Sequence, residues 1–133
     1  LYTNISNNES GKNFVAYCWA AVAGYSAFGS YTGNGSADGP FIYCGFRPRF
    51  ILFKDTTQAF NWVMVDTSRD TYNCAQYGLY PNLSNAEGSG TPFVDILSNG
   101  FKYRYAGGGA NTSNDTIIYA AFAENPFKNA LAR

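Results

Sequence analysis

The chain has 133 residues, one ordinary domain, and nine Lys+Arg balance nine Asp+Glu for zero formal net charge. Charged residues make up 14 % and aromatic residues 18 %. That excludes a disordered chain and a phosphate-neutralising nucleic-acid binder, and no apolar run reaches the roughly 18 residues of a membrane helix.

No segment carries apolar residues at helical spacing between caps. Short aromatic and β-branched runs, broken by Gly, Asn, Pro and Ser, predict strands at 14–23, 28–31, 41–43, 49–54, 62–66, 78–80, 93–97, 100–105 and 116–123. The loop Gly33-Asn34-Gly35-Ser36-Ala37-Asp38-Gly39-Pro40 lacks the Gly-Lys-Ser/Thr ending and following helix of a phosphate cradle, so it reads as a surface turn. Arg47-Pro48-Arg49 opens a strand, because Pro48 cannot donate to a ladder; its two cations are either solvated or ion-paired, or form an inter-subunit contact. Residues 55–61 read as a long hairpin loop. The run Trp62-Val63-Met64-Val65 is apolar at consecutive positions, which predicts cover on both faces and a central place in a sheet. Ser98-Asn99-Gly100 predicts a hairpin, with Asn-Gly supplying the positive φ angles of a type I′ turn. Phe101-Lys102-Tyr103-Arg104-Tyr105 alternates, predicting a buried aromatic face and a wet cationic one. Gly107-Gly108-Gly109 needs backbone freedom. Together these elements predict an all-β fold, an antiparallel β-sandwich of jelly-roll or concanavalin-like type.

Residues 8–20 align without gaps with residues 111–123, each a polar Asn/Ser-rich loop followed by a strand ending in aromatic-Ala. A repeat unit needs partner strands to bury its face. The first copy therefore reads either as the closing strand of a preceding unit, in a longer tandem protein, or as the first strand of this sandwich. On that reading residues 1–25 stand apart from a sandwich domain at 26–133. A start at Leu1, without Met or a signal-peptide pattern, fits a processed chain or a fragment. Cys18, Cys44 and Cys74 are an odd number, so one thiol at least stays free or pairs between chains. They read as buried reduced thiols packing as small hydrophobes, with a Cys18–Cys44 bridge as the alternative.

The chain has no histidine, which removes the commonest general base and metal ligand. Three widely spaced cysteines cannot supply a four-ligand zinc site. Glutamate occurs only at Glu9, Glu87 and Glu124, so the Glu-x-Asp-x-x-Glu strand of a sandwich glucanase is missing. The residues point away from an enzyme, with no catalytic, cofactor or metal site. The densest carboxylate cluster is Asp66-Thr67-Ser68-Arg69-Asp70, followed by Tyr72. Beside Trp62 it offers two carboxylates, an Arg and aromatic rings at a strand end, a set suited to sugar hydroxyls or a calcium ion. The competing reading is structural, with Asp66 capping a turn and Arg69 paired to Asp70 or a neighbour. Gln76-Tyr77-Gly78-Leu79-Tyr80-Pro81 reads as an exposed aromatic loop, adding Tyr77 and Tyr80 to the candidate glycan or partner contacts. Asn-x-Ser/Thr at Asn4, Asn8, Asn34, Asn82, Asn111 and Asn114 would be glycan acceptors in a secreted eukaryotic protein.

The stretches at 14–20, 28–35, 45–48, 97–101 and 121–127, in this order, resemble a domain common at the C-terminal end of virion proteins of tailed bacteriophages, which looks concanavalin/laminin-G-like. The resemblance covers the chain from about Asn13 onward. It implies a β-sandwich in a tail fibre, tail spike or capsid decoration protein, localised to the virion, and residues 127–133 look like a natural chain end for that family. No ligand-contacting residue transfers with it. The expected function is a non-enzymatic structural module. It assembles with identical subunits as a homo-oligomer, a trimer among the options, contacts other virion proteins and offers loops to a host-surface polysaccharide. The alternative is a carbohydrate-binding, lectin-like module. Neither nucleic acid nor membrane insertion is expected.

Overall fold

The computed structural model describes residues 9–91 and 93–126. Among them the chain forms seven strands and no helix: β1 (Ser26–Thr32), β2 (Phe41–Tyr43), β3 (Pro48–Asp55), β4 (Val63–Asp66), β5 (Val94–Leu97), β6 (Gly100–Tyr103) and β7 (Thr116–Ala123). They make two antiparallel sheets, one of four strands in the order β1-β7-β3-β4 and one of three in the order β2-β6-β5. The fold is the expected all-β antiparallel sandwich.

Alternation with a period of two builds the core. Ala27, Ala121, Ile51 and Val65 pair in one row across the four-stranded sheet, and the last three are fully buried. Ile42, Val94, Ile96, Phe101 and Tyr103 of the other sheet join them in the same core. Phe53 meets Tyr103 at 6.0 Å and 82°, and Phe101 meets Tyr119 at 5.5 Å and 76°. Such edge-to-face pairs each add about 0.5–1.5 kcal/mol beyond area burial.

The opposite face of the four-stranded sheet is apolar as well. Phe28, Ala120, Leu52 and Met64 form one outward row across all four strands. This accounts for the unbroken apolar run Trp62–Val65, but β4 is not central. It lies at the edge of its sheet, with an isolated Met64–Leu79 bridge beyond it. The outer cover comes from chain laid across the face.

Residues 14–23, expected as a strand, supply part of that cover as an exposed strap. Among the described residues they make no ladder, and their one bridge is Val22–Ser26. Trp19 instead lies nearly parallel to Phe28 at 6.3 Å and meets Phe122 edge-on at 6.3 Å. The rings find apolar partners without a ladder, and the strap residues stay exposed. The two copies of the internal repeat therefore part company: 116–123 is β7, inside the sheet, and 13–20 is strap. The strand expected at 78–80 is reduced to the bridges Gly78–Gly88 and Met64–Leu79.

The β5–β6 hairpin forms, with a different turn from the one expected. Leu97 pairs with Gly100, so Ser98 and Asn99 are the two loop residues, and neither has a positive φ. Gly100 is needed for another reason: a β-carbon there would stand 2.0 Å from the Ile42 carbonyl oxygen of β2. On β6, Phe101 and Tyr103 point into the core while Lys102 pairs with Asp38 at 2.6 Å. Just beyond the strand, Arg104 pairs with Asp95 at 2.5 Å. Tyr105 leaves this alternation and is exposed. The 33–40 loop is a turn stapled by buried Asn111, whose Oδ1 accepts the Asn34 amide at 3.0 Å and whose Nδ2 donates to the Ser36 carbonyl at 2.7 Å.

All three thiols are free, so Cys18 and Cys44 are not bridged. Burial pushes the half-buried Cys44 thiol up to about 11. Cys18, expected to be buried, is exposed with the rest of the strap. Asn4, Asn8 (the first residue of the repeat) and residues 127–133 lie outside the described residues.

Candidate functional site

The candidate residues separate into three places. The first lies where β4 ends. Asp66 Oδ1 accepts the amides of Ser68 at 2.9 Å and Arg69 at 3.0 Å, the side-chain turn its sequence favours. Its Oδ2 accepts Arg69 Nε at 2.6 Å, and Arg69 Nη1 reaches Glu87 at 2.6 Å. Partial burial pushes the Asp66 carboxyl up, but the bonds from Arg69 and Ser68 outweigh it and hold the group below the usual carboxylate range. Burial likewise works against the Arg69 cation, and the bonds to Glu87 and Asp66 outweigh it. Arg69 Nη2 is buried with no partner. Arg69 is thus paired to Asp66 and Glu87, and its charge is already committed within the protein.

Asp70 belongs to a second place. It is 8 % exposed, and its Oδ2 accepts the amides of Gln76 at 2.9 Å and Tyr77 at 2.8 Å, closing the 70–77 loop. The Asn73 side chain exchanges two hydrogen bonds with the backbone of Ile96, at 3.0 and 2.9 Å, and the Ala75 amide donates to the Val94 carbonyl at 2.8 Å. These bonds fasten the loop to β5. Between its two ends opens a polar pocket of about 390 Å³, lined by Arg69, Asp70, Thr71, Tyr72, Gln76 and Tyr77 among others. Tyr72 is 86 % exposed at its mouth.

Trp62 is in neither. It lines a larger groove of about 540 Å³ on the outer face of the four-stranded sheet, with Tyr17, Trp19, Phe28, Leu52 and Tyr119. The Trp62 amide donates to Asn82 Oδ1 at 3.1 Å, which ties this end of β4 to the following loop. Tyr80 also leaves the expected cluster. It is half-buried against the core and covers Gly88, so the 76–81 loop is exposed only in part. Trp62 and Tyr80 are therefore not brought together with Asp66, Arg69, Asp70, Tyr72 and Tyr77 as one contact surface.

Sequence reasoning missed five contributors. Trp19 and Tyr17 sat in a run read as a strand. Glu87 is eighteen residues from its partner Arg69, with no local pattern linking them. Gln76 and Thr71 carry no composition signal, although their flanking of a short Asx-closed loop was readable. Among the described residues no group of three or more His, Cys, Asp or Glu is placed to hold a metal ion, so the calcium reading of the Asp66–Asp70 cluster gains nothing.

A model of a family described as a domain of unknown function, DUF7483, matches residues 1–126. No curated protein and no solved structure matches the chain. The match takes in the strap, both sheets and all three of these places, and the chain belongs to the DUF7483 family.

Proposed function

We propose that this domain is a non-enzymatic structural module of a bacteriophage virion, of the tail-fibre, tail-spike or capsid-decoration kind, which assembles with copies of itself and offers loops to a host-surface glycan. One observation carries the assembly half. The strap places Val15 at 81 %, Tyr17 at 77 % and Trp19 at 58 % exposure beside an open apolar groove. Contiguous apolar surface of this kind is what subunits bury. The virion assignment draws on the sequence resemblance.

Mass spectrometry of purified phage particles tests the assignment: the chain is expected among the structural proteins. A structure of the assembled form is expected to bury more than about 1,000 Å² between identical chains. Absence from every particle, or a smaller contact, contradicts the reading. The second reading, a lectin-like module, is favoured by the polar pocket beside Asp70, where fixed acceptor and exposed ring stand together.

A further inference from the structure

We infer that the pocket closed by Asp70 is a binding site for an uncharged saccharide. This rests on the glycan-presenting half of the reading above and is separate from self-association, which uses the strap.

The two carboxylate oxygens of Asp70 are held differently. Oδ2 is pinned by the Gln76 and Tyr77 amides. Oδ1 accepts no hydrogen bond from any described residue, yet it is not among the buried unpartnered atoms. It is the unbonded oxygen of a carboxylate that is fixed by its other oxygen and lines the pocket. An acceptor held in this way takes a hydroxyl proton without reorganising, and charge-assisted bonds of that type are the strong ones.

Thr71, Tyr72, Gln76 and Tyr77 also line the pocket, and neither the Thr71 and tyrosine hydroxyls nor the Gln76 side-chain amide bonds to a described residue. Donors and acceptors therefore converge on one cavity, which suits a ligand whose every hydroxyl is both. The rings of Tyr72 and Tyr77 add flat apolar area for the C–H face of a sugar. The volume of about 390 Å³ falls in the range of small-molecule sites, about 300–1,000 Å³.

Charge selects within the class. Among the described residues Arg69 is the one cation lining the pocket, and it is already held by Asp66 and Glu87. Asp70 has no cationic partner among the described residues. A uronate or sialic acid would meet the Asp70 carboxylate beside an Arg69 whose two accessible bonding directions are taken by Asp66 and Glu87 and whose remaining nitrogen is buried. A hard divalent cation would find one lining carboxylate where about six to eight oxygen ligands are needed.

The test uses the full chain on an array of neutral glucans, mannans and galactans beside sialyllactose and polygalacturonate. Hits are then titrated as free oligosaccharides by calorimetry. Binding to at least one neutral glycan is expected, with the acidic ones weaker. Tyr72→Ala and Gln76→Ala should each weaken binding by about tenfold, with melting temperature and oligomeric state unchanged. Trp19→Ser should change oligomeric state and leave the affinity per chain as it was. The inference is overturned by no neutral binding, by preference for the acidic glycans, or by affinity that survives both pocket variants. Loss of affinity in Trp19→Ser alone would move the site to the groove and overturn it equally.

Discussion

The strap at 14–25 and the loop at 66–77 both display aromatic rings, and they are held by opposite means. The strap is fastened by ring contacts: Trp19 on Phe28 and Phe122, Tyr25 on Phe122 at 6.4 Å. Its backbone makes few bonds, most of them at the turn around Gly24, where Ser26 Oγ donates to the Ala20 carbonyl at 2.9 Å. The loop is fastened by polar groups, with Asp66, Asp70 and Asn73 each bonding backbone. A surface held by stacking can exchange its partner for an equivalent apolar one. A surface held by directed bonds keeps one geometry and can present fixed atoms to a ligand. The first suits assembly and the second recognition.

Asp70→Ala should be the most damaging change. It leaves the amides of Gln76 and Tyr77 without their acceptor, at a cost of about 2–4 kcal/mol, read from urea unfolding. A cost below about 1 kcal/mol would mean that the loop is not fastened as described. Asp66 comes next. Its carboxyl is held below the ordinary range in the folded state, so its contribution is present above the unfolded value of about 3.9 and is lost as pH falls through the folded value. Melting temperature should drop below about pH 4, and Asp66→Asn should flatten that part of the profile. It should also cost about 1–2 kcal/mol at neutral pH.

Trp19→Ser should barely alter unfolding of the single chain, by about 0.5–1.5 kcal/mol. If it costs as much as Asp70→Ala, the contrast between the two regions fails. The smallest effect is chemical. Cys18 is exposed on the strap, while burial raises the Cys44 thiol to about 11. A thiol reagent at pH 8 should therefore label Cys18 well before Cys44, with no change in the melt.

Much of the sandwich was legible because a strand paired on one face writes its burial into alternate residues. Phe101-Lys102-Tyr103 states its own orientation, whereas β3 and β7 are legible as strands but carry consecutive apolar residues that leave their facing unstated. The errors share one cause. The four-stranded sheet is apolar on both faces, so Trp62–Val65 looked like a central strand and 14–23 looked like another. Sequence reports that a residue is apolar; it does not report whether a paired strand or an overlying strap removes it from water. The turn at Ser98-Asn99 was misjudged for a related reason, since Gly100 answers to the backbone of β2, far off in sequence. In the candidate site, the Asp66 turn was readable because its bonds span two and three residues. The pairing of Arg69 with Glu87 and the removal of Trp62 to the other surface depend on long-range packing that no local spacing encodes.

Sedimentation velocity across a concentration series, run on the chain and on Trp19→Ser, tests the account most directly. The account predicts a concentration-dependent assembly of identical chains that the substitution reduces to monomer. A chain that sediments as a monomer at every concentration, or an assembly that Trp19→Ser leaves intact, would contradict it.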